Sequence, residues 1–204
     1  MTGWRRNRWA NPAAYYVFGG LLLLVFTLWV PWLSASRTAR AERRADAIAE
    51  ALLEASHGFT PPYDATQTAA IAGRCFAHAA SRGEYVKDLE LVTPAGEDVW
   101  LCLQNRHYVF QLTSSPPAVD QRPGKNTAPA VEVTAWPRDG IGPGHCVFFY
   151  PENATRAYTR NLRAAYAGLE ENPPSPAAAH RRPGLGSRRL TPYPGRDNER
   201  WLIF

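Results

Sequence analysis

Three cysteines and five histidines carry most of the chemical capacity of this 204-residue chain. Cys75-x-x-His78 would set a thiol and an imidazole on one face of a helix. Cys102, His107, His145 and Cys146 could then complete a zinc set, because closed structural zinc sites take four Cys or His ligands. A cysteine meeting a histidine in space would instead make a nucleophile and its base. The spacing selects neither chemistry. No C-x2-C pairs with an H-x3-H, no recognisable local pattern surrounds any cysteine, and Cys75 stands beside Phe76, where a thiol behaves as a small hydrophobe. An odd number of widely spaced cysteines gives no disulfide framework. Two arrangements stay open: one bridge plus one thiol outside the cytosol, or three buried thiols.

Other motifs are equally sparse. The glycines of "DGIGPG" (Asp139–Gly144) have the look of a phosphate loop, but Pro143 and a strand pattern follow where a helix is required. The chain has no G-x-S-x-G elbow, P-loop or H-E-x-x-H. Glu90, Glu97 and Asp98 fall along or beside strand patterns and read as a solvated face, and Asn153-Ala154-Thr155 is a glycosylation sequon, relevant in a eukaryotic secretory pathway. The sequence therefore assigns no catalytic, cofactor-binding or metal residue and calls for no cofactor. The one enzymatic alternative is a membrane-tethered enzyme with a thiol or metal site around Cys75, Cys102 and Cys146.

Net charge is +5, and Lys87 and Lys125 are the two lysines among 23 basic residues. The arginines fall at the flanks of the apolar run, along helix patterns and in the C-terminal tail. A nucleic-acid footprint would instead gather them on one face with aromatics between, so no nucleic-acid partner is expected.

The elements that would position these side chains begin with an apolar run. Between Arg8 and Arg37 the only ionisable side chains are Tyr15 and Tyr16. Residues 13–33 are almost continuously apolar, matching the roughly 20 residues a helix needs to cross a bilayer. Ala13, Leu22, Leu24, Phe26, Trp29 and Leu33 represent this membrane anchor. Trp4, Trp9, Tyr15 and Tyr16 lie toward one end and Trp29 and Trp32 toward the other, as ring systems at headgroup level do. A cleavable signal peptide is the rival, with "LSAS" (Leu33–Ser36) offering small residues. The run is longer than the usual h-region of about 7–15 residues, and Trp29, Pro31 and Trp32 crowd the approach, so the anchor is expected to be retained. Arginine counts on the two sides nearly tie. A signal-anchor layout places residues 1–12, a basic stub, in the cytoplasm and exports the chain beyond residue 33, in a cell (inner) membrane protein with one span.

Residues 34–57 read as an amphipathic stem helix in which Ala41, Ala45, Ile48, Leu52 and Ala55 share one stripe. The stem either continues the span or hinges near Pro31. The stripe packs on its own domain or serves self-association and protein partners. Residues 58–171 form the expected α+β domain. Asp64 with Gln67 is a capping-box pattern opening a helix with Ala69, Ala72, Phe76 and Ala79 on its apolar face and Gly83 at its end. "KDLELVT", "DVWLCLQ" and "YVFQLTS" read as strands joined by "PAGE" and "NRH". Ser114–Pro129 reads as a loop, and "AVEVTAW" and "HCVFFYP" as two further strands. Asn153 would cap a third helix with Tyr158, Leu162, Ala165 and Leu169 on one side. Residues 172–204 have the composition of a Pro/Arg-rich tail, whose last residues, "RWLIF", are too apolar to leave in water and should dock back, as an edge strand for instance.

This order of parts, a basic N-terminal stub, one apolar span, an amphipathic helix and then a small domain of helix and antiparallel sheet, resembles type IV pilins and the pseudopilins of bacterial secretion systems. The resemblance implies an N-terminal helix that anchors the subunit and packs with neighbours in a filament, and a small helix-plus-antiparallel-sheet domain. The family's processing site is a glycine followed by an aromatic or Met and a glutamate-bearing apolar start. Here Val25 precedes Phe26, no glutamate lies in the span, and Gly58-Phe59-Thr60 runs into two prolines. The resemblance thus rests on arrangement, and no functional residue carries over. The expectation is a single-pass membrane protein whose domain outside the cytosol binds or assembles with protein partners, touching the bilayer through residues 13–33.

Overall fold

The computed structural model describes residues 12–93, 99–115, 130–152, 155–180 and 192–204. Most of the basic stub, the "PAGE" connection, most of the Ser114–Pro129 segment, the Asn153 cap and part of the tail lie outside them. Helix α1 (Pro12–Ser56) is a single helix of 45 residues, so the apolar run and the stem are continuous through Pro31. Proline forfeits one backbone hydrogen bond inside a helix, yet α1 does not stop there. The hydroxyls of Thr27, Ser34 and Ser36 donate to carbonyls three residues back at 3.0, 2.8 and 2.9 Å, which satisfies them without water.

Helix α2 (Ala65–Ser81) opens with the expected capping box: Asp64 accepts from the Gln67 amide at 2.7 Å, and the Gln67 side chain accepts from the Asp64 amide at 3.2 Å. Its buried face differs from the sequence expectation. Ile71, Ala72, Cys75 and Ala79 are buried, whereas Ala69 is exposed and Phe76 half-buried. Leaving one alanine in water costs little, and the rotation buries Ile71 instead.

Among the described residues eight antiparallel strands follow: β1 (Glu90–Val92), β2 (Val99–Gln104), β3 (Tyr108–Ser115), β4 (Ala130–Pro137), β5 (Val147–Pro151), β6 (Ala157–Thr159), β7 (Tyr193–Pro194) and β8 (Arg200–Ile203). The spatial order is β1-β2-β3-β4-β5-β6-β8-β7. The first six form a meander. Residues 161–180 then lie over the far face of the sheet, and Arg200–Ile203 of "RWLIF" form a strand one place in from the edge. The α+β class is as the sequence indicates.

One correction concerns a boundary and one concerns type. Ser114 and Ser115 belong to β3, paired with Val131 and Ala130, rather than to a loop. The 157–169 segment is no helix. Tyr158 lies in β6, and Asn161 and Ala165 adopt left-handed φ values of 55° and 50°. The Asn161 amide explains why: its Oδ1 accepts from the Tyr166 N–H at 2.7 Å and its Nδ2 donates to the Tyr166 carbonyl at 2.8 Å. Such local side-chain bonds offer the backbone an alternative to helix, and Leu162, on the supposed apolar face, is 83% exposed.

Strand alternation divides the core into two layers. Leu101, Leu103, Tyr108, Phe110, Leu112, Val133 and Phe148 face α1 and α2. Cys102, Val109, Trp136, Val147 and Phe149 face the opposite way, beneath Tyr166, Ala178, Tyr193 and Trp201 from the C-terminal segment. The stem stripe Ala41, Ala45, Ile48, Leu52 and Ala55 is buried in the helix-side layer. Burying Ile48 and Leu52 stabilises by about 1.5–3 kcal/mol each, so the stem is a core element of its own domain.

Candidate functional site

Helix α1 changes character along its length. Leu22, Leu24, Phe26 and Trp29 are exposed apolar side chains, Leu33 is half-buried, and Ala13 sits in the first turns. From Ala41 onward the stripe facing the sheet is buried. Among the described residues α1 is the one helix long and apolar enough to cross a membrane, and none of its most apolar window is buried in the fold. A run of this composition left in water would be a large exposed apolar patch, which marks an interaction surface.

Polar side chains fasten the stem to the sheet at successive turns. Glu42 accepts from the backbone amides of His145 at 3.1 Å and Cys146 at 3.3 Å. One turn on, Asp46 accepts from the Tyr150 hydroxyl. Burial raises the Asp46 carboxyl above its usual 3.8, partly offset by that bond. Glu50 pairs with Arg156 at 2.5 Å and with Arg82 at 2.8 Å. On another face Arg44 bonds Asp88 and the Tyr85 carbonyl. Burial pushes the Asp88 carboxyl up, but the Arg44 bond and charge outweigh it and hold it below 3.8. The pairing 42 with 146 and 46 with 150 means that β5 runs alongside α1 in the same direction. The sheet end holding the β4–β5 connection therefore lies toward the bare apolar half of α1.

Between stem and sheet lies a cleft of about 300 Å³ bounded by Glu42, Arg43, Asp46, Tyr158, Arg160 and Phe204. It is at the small end of ligand pockets, and its carboxylates are engaged in fastening the stem.

The sequence-derived cysteines are not brought together as a set. Cys75 and Cys146 lie in the helix-side layer, whereas Cys102 lies on the other face of the sheet. All three are buried and free, so the arrangement of three buried thiols is the one observed. Burial pushes each thiol up to about 12, which holds it protonated, while the thiolate is the form that attacks or binds metal. Among the described residues no group of three or more His, Cys, Asp or Glu side chains is placed to hold a metal ion.

Two buried carboxylates escape a sequence reading. Glu132, in the middle of β4, is fully buried. It accepts from the Ala177 amide at 2.6 Å and the Thr113 hydroxyl at 3.4 Å, with His180 Nε2 at 3.0 Å from its other oxygen. Glu199 accepts from the amides of Arg163 at 2.9 Å and Ala164 at 2.7 Å. Burial raises its carboxyl, but those amides together with Arg200 and Thr159 prevail and hold it below 4.5. Both carboxylates clasp the C-terminal segment to the sheet. The signal available in sequence was an acidic residue inside an otherwise apolar strand, as in "AVEVTAW", and it resembles a solvated face until the covering layer is known. Compared with protein families, curated proteins and solved structures, the chain finds no match.

Proposed function

We propose that this chain is a single-pass membrane protein of the cell (inner) membrane whose α+β domain stands outside the cytosol and serves protein binding or assembly, in the manner of pilin-like subunits. One observation supports the reading above all: α1 is a single helix that is bare and apolar through its first half and core-buried through its second. A helix of this kind couples domain and bilayer rigidly, at about 1.5 Å per residue, and leaves no slack for the domain to tumble. Because the alanine stripe is taken up by the sheet, assembly would use the bare span and the exposed faces of stem and sheet. Arg40 and Arg43 are exposed on the stem, and Leu91 is exposed on edge strand β1.

The test has two arms. The intact chain should stay with membranes through alkaline carbonate washing, and a reporter fused after Phe204 should be active outside the cytosol. Recovery of a soluble product starting near Arg37 would end the anchor reading, and a cytosolic reporter would end the orientation and the pilin-like comparison.

A further inference from the structure

The end of the sheet nearest the span carries two bare apolar side chains amid arginines. Ile141, at the tip of the β4–β5 connection, is fully exposed, and Leu162, in the connection after β6, is 83% exposed. The two connections adjoin: Asp139, Gly140 and His145 from one and Arg160, Asn161 and Leu162 from the other line a shared cavity of about 170 Å³. Ile141, Gly142, Pro143 and His145 also border a cavity of about 600 Å³ with Val30, Leu33, Ser34 and Thr38 of α1. The loop tip thus stands beside the stretch of helix where apolar residues give way to Arg37. Arg106, Arg138, Arg160 and Arg163 are exposed on the connections at this end; of the acidic side chains there, Glu42 is taken up by the His145 and Cys146 amides and Asp88 by Arg44, while Asp139 and, further along the connection after β6, Glu170 and Glu171 are exposed.

We propose that this end of the domain is a second membrane contact, in which Ile141 and Leu162 enter the headgroup layer and the surrounding arginines meet anionic lipid. The proposal rests on α1 spanning the bilayer. A span leaving the membrane near Leu33 brings Ile141 to the level of Trp29 and Trp32, where amphipathic and apolar side chains meet the interface. Exposed apolar side chains ringed by cations are the composition of surfaces that lie on anionic bilayers. A loop fastened through the Glu42 bonds to His145 and Cys146 is also held at a fixed height above the helix exit. The lipid surface is favoured over a protein partner by this continuity with the span.

The test uses the full chain reconstituted in phosphatidylcholine vesicles with and without phosphatidylglycerol. Single cysteines at I141C, L24C and T155C carry an environment-sensitive fluorophore, which the three buried native thiols do not take up. Thr155 is exposed in the β5–β6 connection, at the opposite end of the sheet. Quenching by headgroup-level spin-labelled lipid should be about twofold or more stronger at 141 than at 155, and stronger with phosphatidylglycerol present. Quenching at 24 by mid-chain label together with equal, weak quenching at 141 and 155 overturns this contact and leaves the span intact. Absence of quenching at 24 overturns both. Equal quenching at 141 in the two lipid mixtures removes the arginines from the contact.

Discussion

The Glu42 carboxylate of α1 accepts the backbone amide of Cys146 at 3.3 Å, and so ties the residue before β5 to the stem just beyond the bare apolar half of the helix. The same carboxylate takes the His145 amide. Two amides at the mouth of a strand have no ladder partner of their own, and a charged acceptor satisfies them more strongly than a neutral one. Glu42→Ala should lower stability by about 1.5–3 kcal/mol, read as a lower midpoint in thermal unfolding of the detergent-solubilised chain. Glu42→Gln, which keeps one acceptor oxygen, should recover part of the loss. A midpoint unchanged in both variants would show that the tie carries no weight.

Glu132 secures the opposite layer. Its removal strips the Ala177 amide of its acceptor and empties a fully enclosed site in β4. Glu132→Ala should cost about 1–3 kcal/mol from the unsatisfied amide alone. The C-terminal segment should also become more sensitive to protease. Limited trypsin digestion should release fragments ending among Arg196 and Arg200 earlier than in the parent chain. If the unfolding midpoint falls while the digestion pattern stays the same, Glu132 supports the sheet and not the clasp.

Gly144 holds a φ of +106°, and a Cβ there would come within 2.6 Å of the Tyr108 ring. Tyr108 is fully buried and donates to the Cys146 carbonyl at 3.1 Å, so it has no room to retreat. Both backbone strain and overlap therefore penalise Gly144→Ala, by about 1–3 kcal/mol each. Gly140, with open space around it and no left-handed φ, serves as the control: Gly140→Ala should leave the midpoint nearly unchanged.

What can be read in the sequence is whatever local chemistry decides. The Asp64/Gln67 capping box, the long apolar helix, the stem stripe and five strands all arise from nearest-neighbour spacing, and each is found where expected. The 157–169 segment misleads because Tyr158, Leu162, Ala165 and Leu169 keep a helical period by coincidence. The decisive facts there are the free edge of β5, which takes β6, and the Asn161 bonds to Tyr166. The roles of Glu132 and Glu199 depend on which segment covers the far face of the sheet, a non-local matter that periodicity does not encode. The prominence of Ile141 is similar. An isoleucine in a glycine-rich loop draws no notice until the loop is seen beside the stretch of α1 where the apolar residues end.

Acid should weaken the fold through His107 first. Burial, then the charges of Arg106 and Arg44, holds its imidazole below the ordinary 6.5. The unfolded chain thus binds the proton more readily, and the stability tied to neutral His107 is present above pH 6.5 and lost as pH falls from 6.5 through the lower folded value. Glu199 acts in the same direction further down: its carboxyl is held below 4.5, so its contribution is present above pH 4.5 and lost as pH falls through the folded value. Asp46 opposes them, since its raised carboxyl takes up a proton more readily when folded, above 3.8. Thermal midpoints between pH 7.5 and 5.5 report the histidine, because Glu199 acts below its ordinary 4.5 and the raised Asp46 carboxyl acts in the opposite direction. The parent midpoint should fall across it, and His107→Gln should flatten the slope. A slope that survives the substitution would assign the effect to another histidine.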